Sequence, residues 1–310
     1  MKIKSQIKSL KELTTFRMGG EVTIYNLQNE KDVESFALQN LKFKILGGGS
    51  NILVSNKDLN VSFIKYTKSD IRWEDNLIMV DAGKNWDELV EETVAAGYYT
   101  LAALSLIPGT VGAAPVQNIG AYGTEVSESI IKVKGYDYLE KTWRVYSNQD
   151  CKFGYRKSRF QKNHNFLITS VTFKLNKDIN KIPTEIRDTV IHTRDSKLPR
   201  VQTQASVGSF FKNPIVQESI LNKILLDYKD MPHYPQKQLF KLAAGWLIEH
   251  AECRDIKDDT FFLYEKNCLV ITHRNPNPDL NNLLAYAKKI QNRVYERFEI
   301  KLEIEPEIIK

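Results

Sequence analysis

The stretch IPGTVGAAPVQNIGAYG, residues 107–123, decides how this chain folds. Small residues and two prolines surround its four glycines, Gly109, Gly112, Gly120 and Gly123. Glycine lacks a Cβ and tolerates positive φ, so such a run lets the backbone approach a bound molecule closely. Closely spaced N–H groups in a loop of this kind form a nest that holds phosphate or ring oxygens. The stretch therefore indicates contact with a cofactor, and an ordinary surface loop is the alternative.

A second glycine cluster, GGGSN at residues 47–51, lies between FKIL and ILV, two apolar segments that are typical of short buried strands. A phosphate-binding P-loop would require Lys-Ser or Lys-Thr after the glycines, and a dinucleotide fingerprint would open a helix there. Neither condition holds. The strand–loop–strand arrangement offers a row of backbone donors, with Ser50 and Asn51, that suits a diphosphate. A glycine-rich hairpin turn is the alternative.

The composition is that of an ordinary globular protein with two or three domains, since 26% of its 310 residues are charged and 42% are hydrophobic. The N-terminal segment is polar and does not predict a secretory signal. No run approaches the roughly 20 apolar residues of a membrane span. Three cysteines lie far apart without metal-type spacing, which favours reduced thiols. We therefore expect a cytoplasmic protein that contains no metal site and does not bind a membrane.

The formal net charge of +6 comes from lysines and arginines that are scattered among acidic residues. This pattern indicates solubility and a preference for anionic small ligands rather than nucleic acid. A basic RNA-binding protein without catalytic activity is a remote alternative, because the sequence lacks an aromatic-rich RNA-binding signature.

Helices and strands are predicted to alternate along the chain, without an internal repeat. The periodicity predicts helices at about residues 31–39, 86–96, 184–198, 218–228, 239–249 and 280–298. Strand-like runs flank the first of these helices and recur at residues 133–139, 142–147, 166–175 and 268–272. The apolar stripe of the last helix indicates core packing. The pattern of predicted helices and strands changes near residues 198–206, which predicts a domain boundary there.

Motifs in order along the chain resemble those of bacterial UDP-N-acetylenolpyruvoylglucosamine reductases (the MurB family). They are TTF at 14–16, ILGGGSN at 45–51, the 107–123 run, CKFGYR at 151–156, GSFFKNP at 208–214, KLAAGWLIE at 241–249 and EPEI at 305–308. The resemblance implies an α+β fold. Its FAD-binding region would be of the vanillyl-alcohol-oxidase (PCMH) type, in two α+β lobes at residues 1–66 and 67–198. A C-terminal α+β substrate-binding domain would follow at residues 199–310.

The same resemblance implies reduction of UDP-N-acetylenolpyruvoylglucosamine to UDP-N-acetylmuramate in peptidoglycan precursor synthesis. Hydride would pass from NADPH to FAD, and then to C3 of the enolpyruvyl group. An enolate-like species at C2 then needs stabilisation and a proton. The resemblance also implies a monomer whose partners are the UDP-sugar and NADPH. Another FAD-dependent oxidase or dehydrogenase of the same fold is the alternative.

Three catalytic residues follow from the matched motifs. Arg156 matches the arginine that steadies the substrate carboxylate and enolate, a task that suits a planar and permanently charged guanidinium. Ser209 matches the serine that gives a proton to C2, a role that requires geometry and a polarised O–H rather than a triad. The third group is a glutamate, for which the pattern EPEI points to Glu307 and an ungapped count from Phe298 points to Glu305.

Binding residues carry over in the same way. The expected FAD contacts are Gly47, Gly48, Gly49, Ser50, Asn51, Pro108, Gly109, Thr110, Gly112, Gln117, Asn118, Gly120 and Gly123. The expected substrate contacts are Tyr122, Arg194, Lys197, Lys212, Asn213, Tyr234 and Asn267. Spacing of three residues puts Arg194 and Lys197 on one face of a helix, where both can meet a diphosphate.

Three departures from the family's pattern concern substrate binding. Some members carry a tyrosine on an extra loop that folds over the substrate, but residues 174–183, KLNKDINKIP, are short and contain no tyrosine. A glutamine usual in the C-terminal domain is Asn267 here. The glycine loop usual before it is replaced by the polar RDIKDD of residues 254–259. We expect these changes to weaken substrate affinity without removing the chemistry.

Overall fold

The computed structural model of this protein describes residues 3–57 and 59–310. Its strands are β1 Ser5–Ser9, β2 Glu21–Leu27, β3 Phe43–Ile45, β4 Ile52–Val54, β5 Ser62–Tyr66, β6 Ile71–Glu74, β7 Leu77–Asp81, β8 Gly120–Ala121, β9 Thr124–Glu125, β10 Ile130–Asp137, β11 Thr142–Ser147, β12 Phe166–Lys174, β13 Ile215–Val216, β14 His233–Gln236, β15 Leu239–Leu242, β16 Phe261–Tyr264, β17 Asn267–His273 and β18 Glu307–Ile309.

The α-helices are α1 Leu10–Leu13, α2 Glu30–Ala37, α3 Trp86–Ala95, α4 Pro183–Lys197, α5 Glu218–Asp227, α6 Ala244–His250 and α7 Leu280–Phe298. Helices and strands thus alternate along the chain, which confirms the predicted α+β class. None of the helices in the described ranges has the length and apolar character needed to cross a membrane.

The described residues divide into two compact units. Unit 1 contains residues 3–9, 21–49 and 59–194, and unit 2 contains residues 10–20, 50–57 and 195–310. Two short N-terminal segments therefore pack with the C-terminal third of the chain, which the sequence did not predict. The division of residues 1–198 into two lobes stays a prediction.

The two largest sheets of unit 1 share one core, and β8 and β9 form a separate two-stranded sheet. The first sheet has the order β1-β2-β5-β3, and the second is antiparallel with the order β11-β10-β12-β7-β6. Strand β12 lies in the middle of the second sheet, and its first eight residues are buried. Buried side chains of both sheets and of α3 form a single hydrophobic cluster that includes Ile64, Val80, Trp86 and Val171. This core fixes the position of α3 and of the segments before and after it.

Unit 2 is organised around α7, whose apolar stripe is buried as predicted. The Asp279 side chain caps the helix by accepting a hydrogen bond from the N–H of Asn282, and the helix ends at Glu299 with a left-handed φ of 58°. Beside α7 lie the sheet β13-β15-β14, the hairpin β16-β17 and the parallel pair β18-β4. The pair β18-β4 joins the C-terminal strand to residues 52–54.

Most of the predicted elements are confirmed to within about two residues, but the start of the helix predicted at residues 239–249 is wrong. Residues 239–242 form β15, which pairs with both β13 and β14, and α6 begins only at Ala244. The helix-forming residues after Leu242 made the whole segment resemble a helix. Pairing on both sides of β15 overrides this local propensity.

The glycine cluster at residues 47–51 is not a hairpin turn. Strand β3 before it pairs with β5, and strand β4 after it pairs with β18. The two flanking strands therefore belong to different sheets, and the hairpin alternative is wrong. Residues 47–49 belong to unit 1, and residues 50–51 belong to unit 2.

Candidate active site

The two glycine-rich stretches of unit 1 touch each other. A Cβ added to Gly48 would lie 2.5 Å from the Cα of Gly109, and one added to Gly47 would lie 2.9 Å from the Cβ of Ala113. Gly109 has a φ of 134°, which strongly favours glycine. The sequence requires glycine here because the two main chains lie in direct contact.

The backbone donors of the two stretches differ in how they are used. The N–H groups of Val111 and Gly112 donate to the carbonyls of Lys84 and Ala82, each at 2.9 Å. The prediction of an anion-binding nest there is therefore wrong at these two residues, because strand-like pairing uses their donors. Within residues 3–57 and 59–310, by contrast, the N–H groups of Gly47, Gly48 and Gly49 donate no hydrogen bond. These three groups are the backbone donors that suit a diphosphate.

The segment before α3 holds the glycine run in place. Trp86 donates from its backbone N–H to the carbonyl of Gly109 at 3.1 Å, and from its indole N–H to the carbonyl of Leu104 at 2.9 Å. An isolated antiparallel bridge joins Asn85 to Thr110. The run is thus fixed by unit 1 itself, as a cofactor-binding segment requires.

Asn118 is buried, and the protein itself uses its side chain. The amide nitrogen donates to Glu125 Oε2 at 2.7 Å and to the carbonyl of Gly154 at 3.1 Å, while Oδ1 accepts from the N–H of Ser127 at 3.0 Å. These hydrogen bonds tie the glycine run to the turn that carries Arg156. The contact between Asn118 and FAD stays a prediction.

Arg156 lies at the tip of that tight turn. Gly154 and Lys157 exchange two backbone hydrogen bonds, and Arg156 between them has a left-handed φ of 50°. Its Nη2 donates to the carbonyl of Gly120 at 3.0 Å. The structure therefore brings the predicted catalytic arginine and the glycine run together. A non-glycine residue in this backbone region costs energy, and such strain is concentrated at functional sites.

Tyr122 and Arg194 also meet in unit 1. The guanidinium of Arg194, near the end of α4, is hydrogen-bonded to the side chain of Tyr122, and burial lowers its pKa from the usual value. Tyr122 has a left-handed φ of 50° and is about half exposed. Two predicted substrate contacts thus lie side by side. Lys197, the last residue of α4, is exposed and belongs to unit 2.

The other predicted FAD contacts of the run, Pro108, Gln117 and Gly123, lie in unit 1 with those already described. Gly123 has a positive φ of 82°, and apart from its chain neighbours no heavy atom of the described residues lies within 4 Å of the position that its Cβ would take. Ser50 and Asn51 belong to unit 2, where their carbonyls accept hydrogen bonds from the Thr15 hydroxyl and the Glu307 N–H.

Ser209 in unit 2 is fixed by the residues that follow it. Phe210 and Phe211 are fully buried and pack edge to face, with ring centroids 5.2 Å apart. The N–H of Phe210 donates to the carbonyl of Leu269 at 2.8 Å. Gly208, before the serine, has a left-handed φ of 71°. Ser209 itself is half-buried, in a backbone that cannot easily shift.

The two candidate glutamates lie beside different neighbours. The N–H of Glu305 donates to the carbonyl of Phe210 at 2.9 Å, whereas the N–H of Glu307 donates to that of Asn51 at 3.0 Å. Only Glu307 belongs to a strand, β18, and its side chain is exposed, whereas that of Glu305 is half-buried. Both are fixed by backbone pairing within unit 2.

Two predicted substrate contacts lie at the start of α6. Asn213 Oδ1 accepts a hydrogen bond from the N–H of Ala244 at 2.9 Å. Asn267 Oδ1 would lie 3.6 Å from a Cβ on Gly245, and it accepts a hydrogen bond from the N–H of Leu269. Both side chains thus serve the local structure and stay proposed substrate contacts.

Lys212 and Tyr234 differ from these asparagines in exposure and pairing. Lys212 Nζ lies 3.1 Å from Glu303 Oε2 and is about three-quarters buried. Tyr234 is about half exposed, and Lys241 Nζ lies 5.7 Å from the centroid of its ring. The ammonium of Lys212 therefore already has a carboxylate beside it.

Residues 174–183, which replace the tyrosine-bearing loop, are attached to the body of unit 1. The N–H of Asn176 donates to the hydroxyl of Thr100 at 2.6 Å, and Lys181 Nζ lies 3.9 Å from the centroid of the Tyr99 ring. This segment is a fixed connection between β12 and α4.

The polar residues 254–259 are likewise used internally. Arg254 forms a bidentate pair with Glu249, at 2.8 and 3.0 Å, and also donates to the carbonyl of Glu265. Cys268 Sγ lies 2.6 Å from Glu249 Oε2, and burial is the main cause that raises the pKa of this thiol to about 12.

Sequence reasoning missed Asp87 and Arg187, which form a bidentate ion pair at 2.7 and 2.9 Å. The helix dipole favours acidic residues at the start of a helix, so the position of Asp87 in α3 did not suggest a further role. The two residues are 100 positions apart, and no motif connects them.

Comparison with known proteins identifies relatives over both parts of the chain. Residues 199–309 match the C-terminal domain model of UDP-N-acetylenolpyruvoylglucosamine reductase, and residues 30–139 match an FAD binding domain. The reductase of Bdellovibrio bacteriovorus is 37% identical over 293 residues, which cover 87% of each chain. That of Pseudoalteromonas translucida is 37% identical over 325 residues, covering 97% of this chain and 95% of its own. The crystal structure of the Thermus caldophilus reductase has the same fold, with a TM-score of 0.79 at 22% identity and 100% coverage of both chains.

Proposed function

Because the chain belongs to the UDP-N-acetylenolpyruvoylglucosamine reductase family, we propose that it reduces UDP-N-acetylenolpyruvoylglucosamine to UDP-N-acetylmuramate with NADPH. The observation that carries this proposal is the attachment of Arg156 to the glycine run, through Asn118 and the carbonyl of Gly120. A flavin-dependent reduction of an enolpyruvyl group needs a cation that is fixed relative to the cofactor-binding segment. Unit 1 provides both in one connected structure.

The residues of unit 1 fit FAD. The contact between Gly48 and Gly109 makes a wall without side chains, and the N–H groups of residues 47–49 suit the diphosphate. When bound, FAD supplies hydride transfer between NADPH and C3 of the enolpyruvyl group. The protein's own contribution is to bind, to orient and to move protons.

Three side chains carry the proposed chemistry on the substrate. Arg156 stabilises the carboxylate and the developing negative charge of the enolate through charge-assisted hydrogen bonds. Ser209 delivers a proton to C2, and the buried Phe210–Phe211 pair holds the backbone that follows it. Glu307 is the proposed third group, and Glu305 is the alternative.

The proposed substrate contacts are those that the family's motifs indicate, taken for each unit separately. Arg194 and Lys197 carry positive charge for the diphosphate, and Tyr122 packs beside Arg194. Lys212, Asn213, Tyr234 and Asn267 are the proposed contacts in unit 2. We also propose that the protein is a monomer. Its three free, buried cysteines support the proposal that it acts in the cytoplasm.

The experiment that tests the function follows flavin absorbance through two half-reactions. Purified holoenzyme should be bleached by NADPH without oxygen, and enolpyruvyl-UDP-GlcNAc should then restore the flavin colour. Reoxidation by oxygen but not by the enolpyruvyl substrate would favour an oxidase of the same fold. Colourless protein that takes up no FAD would contradict both enzyme hypotheses.

A further inference from the structure

A half-buried ion pair joins α3 to α4 within unit 1. Arg187 Nη1 and Nη2 donate to Asp87 Oδ1 and Oδ2 at 2.7 and 2.9 Å. The two side chains are only 12% and 25% exposed. A bidentate pair with this burial fixes orientation as well as distance, because the guanidinium and the carboxylate must share one plane.

The same carboxylate reaches the start of the glycine run. Asp87 Oδ1 also accepts a hydrogen bond from the N–H of Leu106 at 2.6 Å. Leu106 has a left-handed φ of 56° and comes directly before residues 107–123. A leucine is costly in this conformation, so a strong acceptor is needed to keep it there. Asp87 therefore helps to fix the direction in which the chain enters the run.

Arg187 connects the ion pair to Arg194, because both arginines belong to α4. It lies seven residues before Arg194, so the two arginines are two helical turns apart on one face. Arg194 is hydrogen-bonded to Tyr122, and the charge of Asp87 also acts on it. Tyr122 itself belongs to the glycine run. The contacts thus form a closed ring from Asp87 to Arg187, along α4 to Arg194, across to Tyr122 and back through the run to Leu106.

From this ring we infer that Asp87 and Arg187 are positioning residues, which set the rotation of α4 relative to the glycine run and hence the affinity of Arg194 for the substrate diphosphate. The inference rests on the proposed function, in which Arg194 binds that diphosphate. An ion pair that served stability alone could be replaced by apolar residues without effect on the ligand. A positioning pair makes the ligand's affinity depend on both members.

The test uses holoenzyme with Asp87→Asn, Arg187→Leu and the double substitution. UDP is the probe, and its dissociation constant is measured from the perturbation of the flavin spectrum, together with KM and kcat for the enolpyruvyl substrate. Each single substitution should weaken UDP binding and raise KM about tenfold, with a much smaller change in kcat. The double variant should be no worse than the worse single variant, because the two residues act as one unit. Arg187→Lys keeps the charge but loses the planar fork, so it should recover only part of the affinity.

The matched control is Arg144→Leu, which removes another arginine–carboxylate pair on an exposed hairpin. There Arg144 Nε and Nη2 both donate to Glu140 Oε2, at 3.2 and 2.6 Å. This substitution should leave UDP binding unchanged. Turnover by wild type and by this control establishes the proposed function separately. Single variants that lose thermal stability but bind UDP within twofold of wild type would overturn the positioning role. A double variant whose loss equals the product of the single losses would also overturn it.

Discussion

The backbone N–H of Glu305 donates to the carbonyl oxygen of Phe210 at 2.9 Å, so this glutamate lies beside the residue that follows Ser209. Glu307 is held instead against Asn51, at the start of a parallel strand pair. Two carboxylates within three residues thus occupy different backbone settings. Substitutions at each can separate their roles.

Glu307→Gln should slow reoxidation of reduced flavin by the enolpyruvyl substrate by roughly 10²-fold or more, because the amide cannot act as an acid or base. Glu305→Gln, the matched control, should change this rate by less than about threefold, since its backbone pairing is kept. Both rates are measured by stopped-flow absorbance. A larger loss in Glu305→Gln would assign the role to that residue instead.

Ser209→Ala should leave bleaching by NADPH intact and slow the second half-reaction by roughly 10²- to 10⁴-fold, because only protonation of C2 needs the hydroxyl. Ser206→Ala is a useful comparison, since this hydroxyl accepts the N–H of Gly208 at 2.9 Å. Losing it should cost about 1 kcal/mol of unfolding free energy. Equal losses in both half-reactions of Ser209→Ala would contradict the role of proton donor.

Gly48→Ala should abolish stable retention of FAD, because a Cβ 2.5 Å from the Cα of Gly109 forces the two glycine stretches apart. The measurement is the ratio of flavin to protein absorbance after gel filtration. Gly245→Ala introduces a Cβ that lies 3.5 Å from the Cβ of Leu269, an ordinary van der Waals contact, and it should retain flavin. Full flavin content in Gly48→Ala would show that the glycine contact is not needed for the cofactor.

The Asp87–Arg187 pair should make the free energy of unfolding depend on pH in the acidic range. Burial alone would raise the pKa of Asp87, but the hydrogen bonds from Arg187 and from the N–H of Leu106, with the charges of Arg187 and Arg194, hold it below the usual value. A carboxyl with a depressed folded-state pKa stabilises the fold above its unfolded pKa of about 3.9, and this contribution is lost as the pH falls through the folded pKa.

The unfolding free energy of Asp87→Asn should therefore differ from that of wild type by a constant amount between pH 7 and pH 5, and by less below about pH 4. Urea titrations of the holoenzyme at several pH values measure the difference. Glu140→Gln, at an exposed pair, should change the unfolding free energy by less than about 1 kcal/mol. A difference for Asp87→Asn that grows as the pH falls would contradict the assignment.

Local patterns in the sequence predicted most elements and the motif residues. The periodic stripe of α7 and the acidic start of α3 can be recognised from neighbouring residues alone. Strand β15 pairs on one side with the neighbouring β14 and on the other with β13, more than 20 positions away, where Lys241 lies opposite Ile215. This second pairing is not visible in the local sequence, and together the two override a helical pattern. In the same way, no local pattern indicates that residues 50–57 pack with the C-terminal third.

The same distinction between local patterns and distant contacts applies to the residues of the candidate site. Motifs indicate Arg156 and Ser209 as candidates, because a short segment carries both the residue and its local backbone conformation. The use of the Asn118 side chain depends on Gly154, 36 positions later, and the pair of Asp87 with Arg187 spans 100 positions. Such contacts form only when distant segments are brought together, so a sequence without a structure does not reveal them.

The main-chain N–H groups of Gly47, Gly48 and Gly49 also have a consequence for inhibitor resistance. A small molecule that binds these groups would contact atoms that every residue type shares, so substitution cannot remove them except by proline. Side chains that would block the molecule are excluded as well, because a Cβ at Gly47 or Gly48 would collide with the 109–113 segment. Escape by point mutation at these positions should therefore come at the expense of the fold itself.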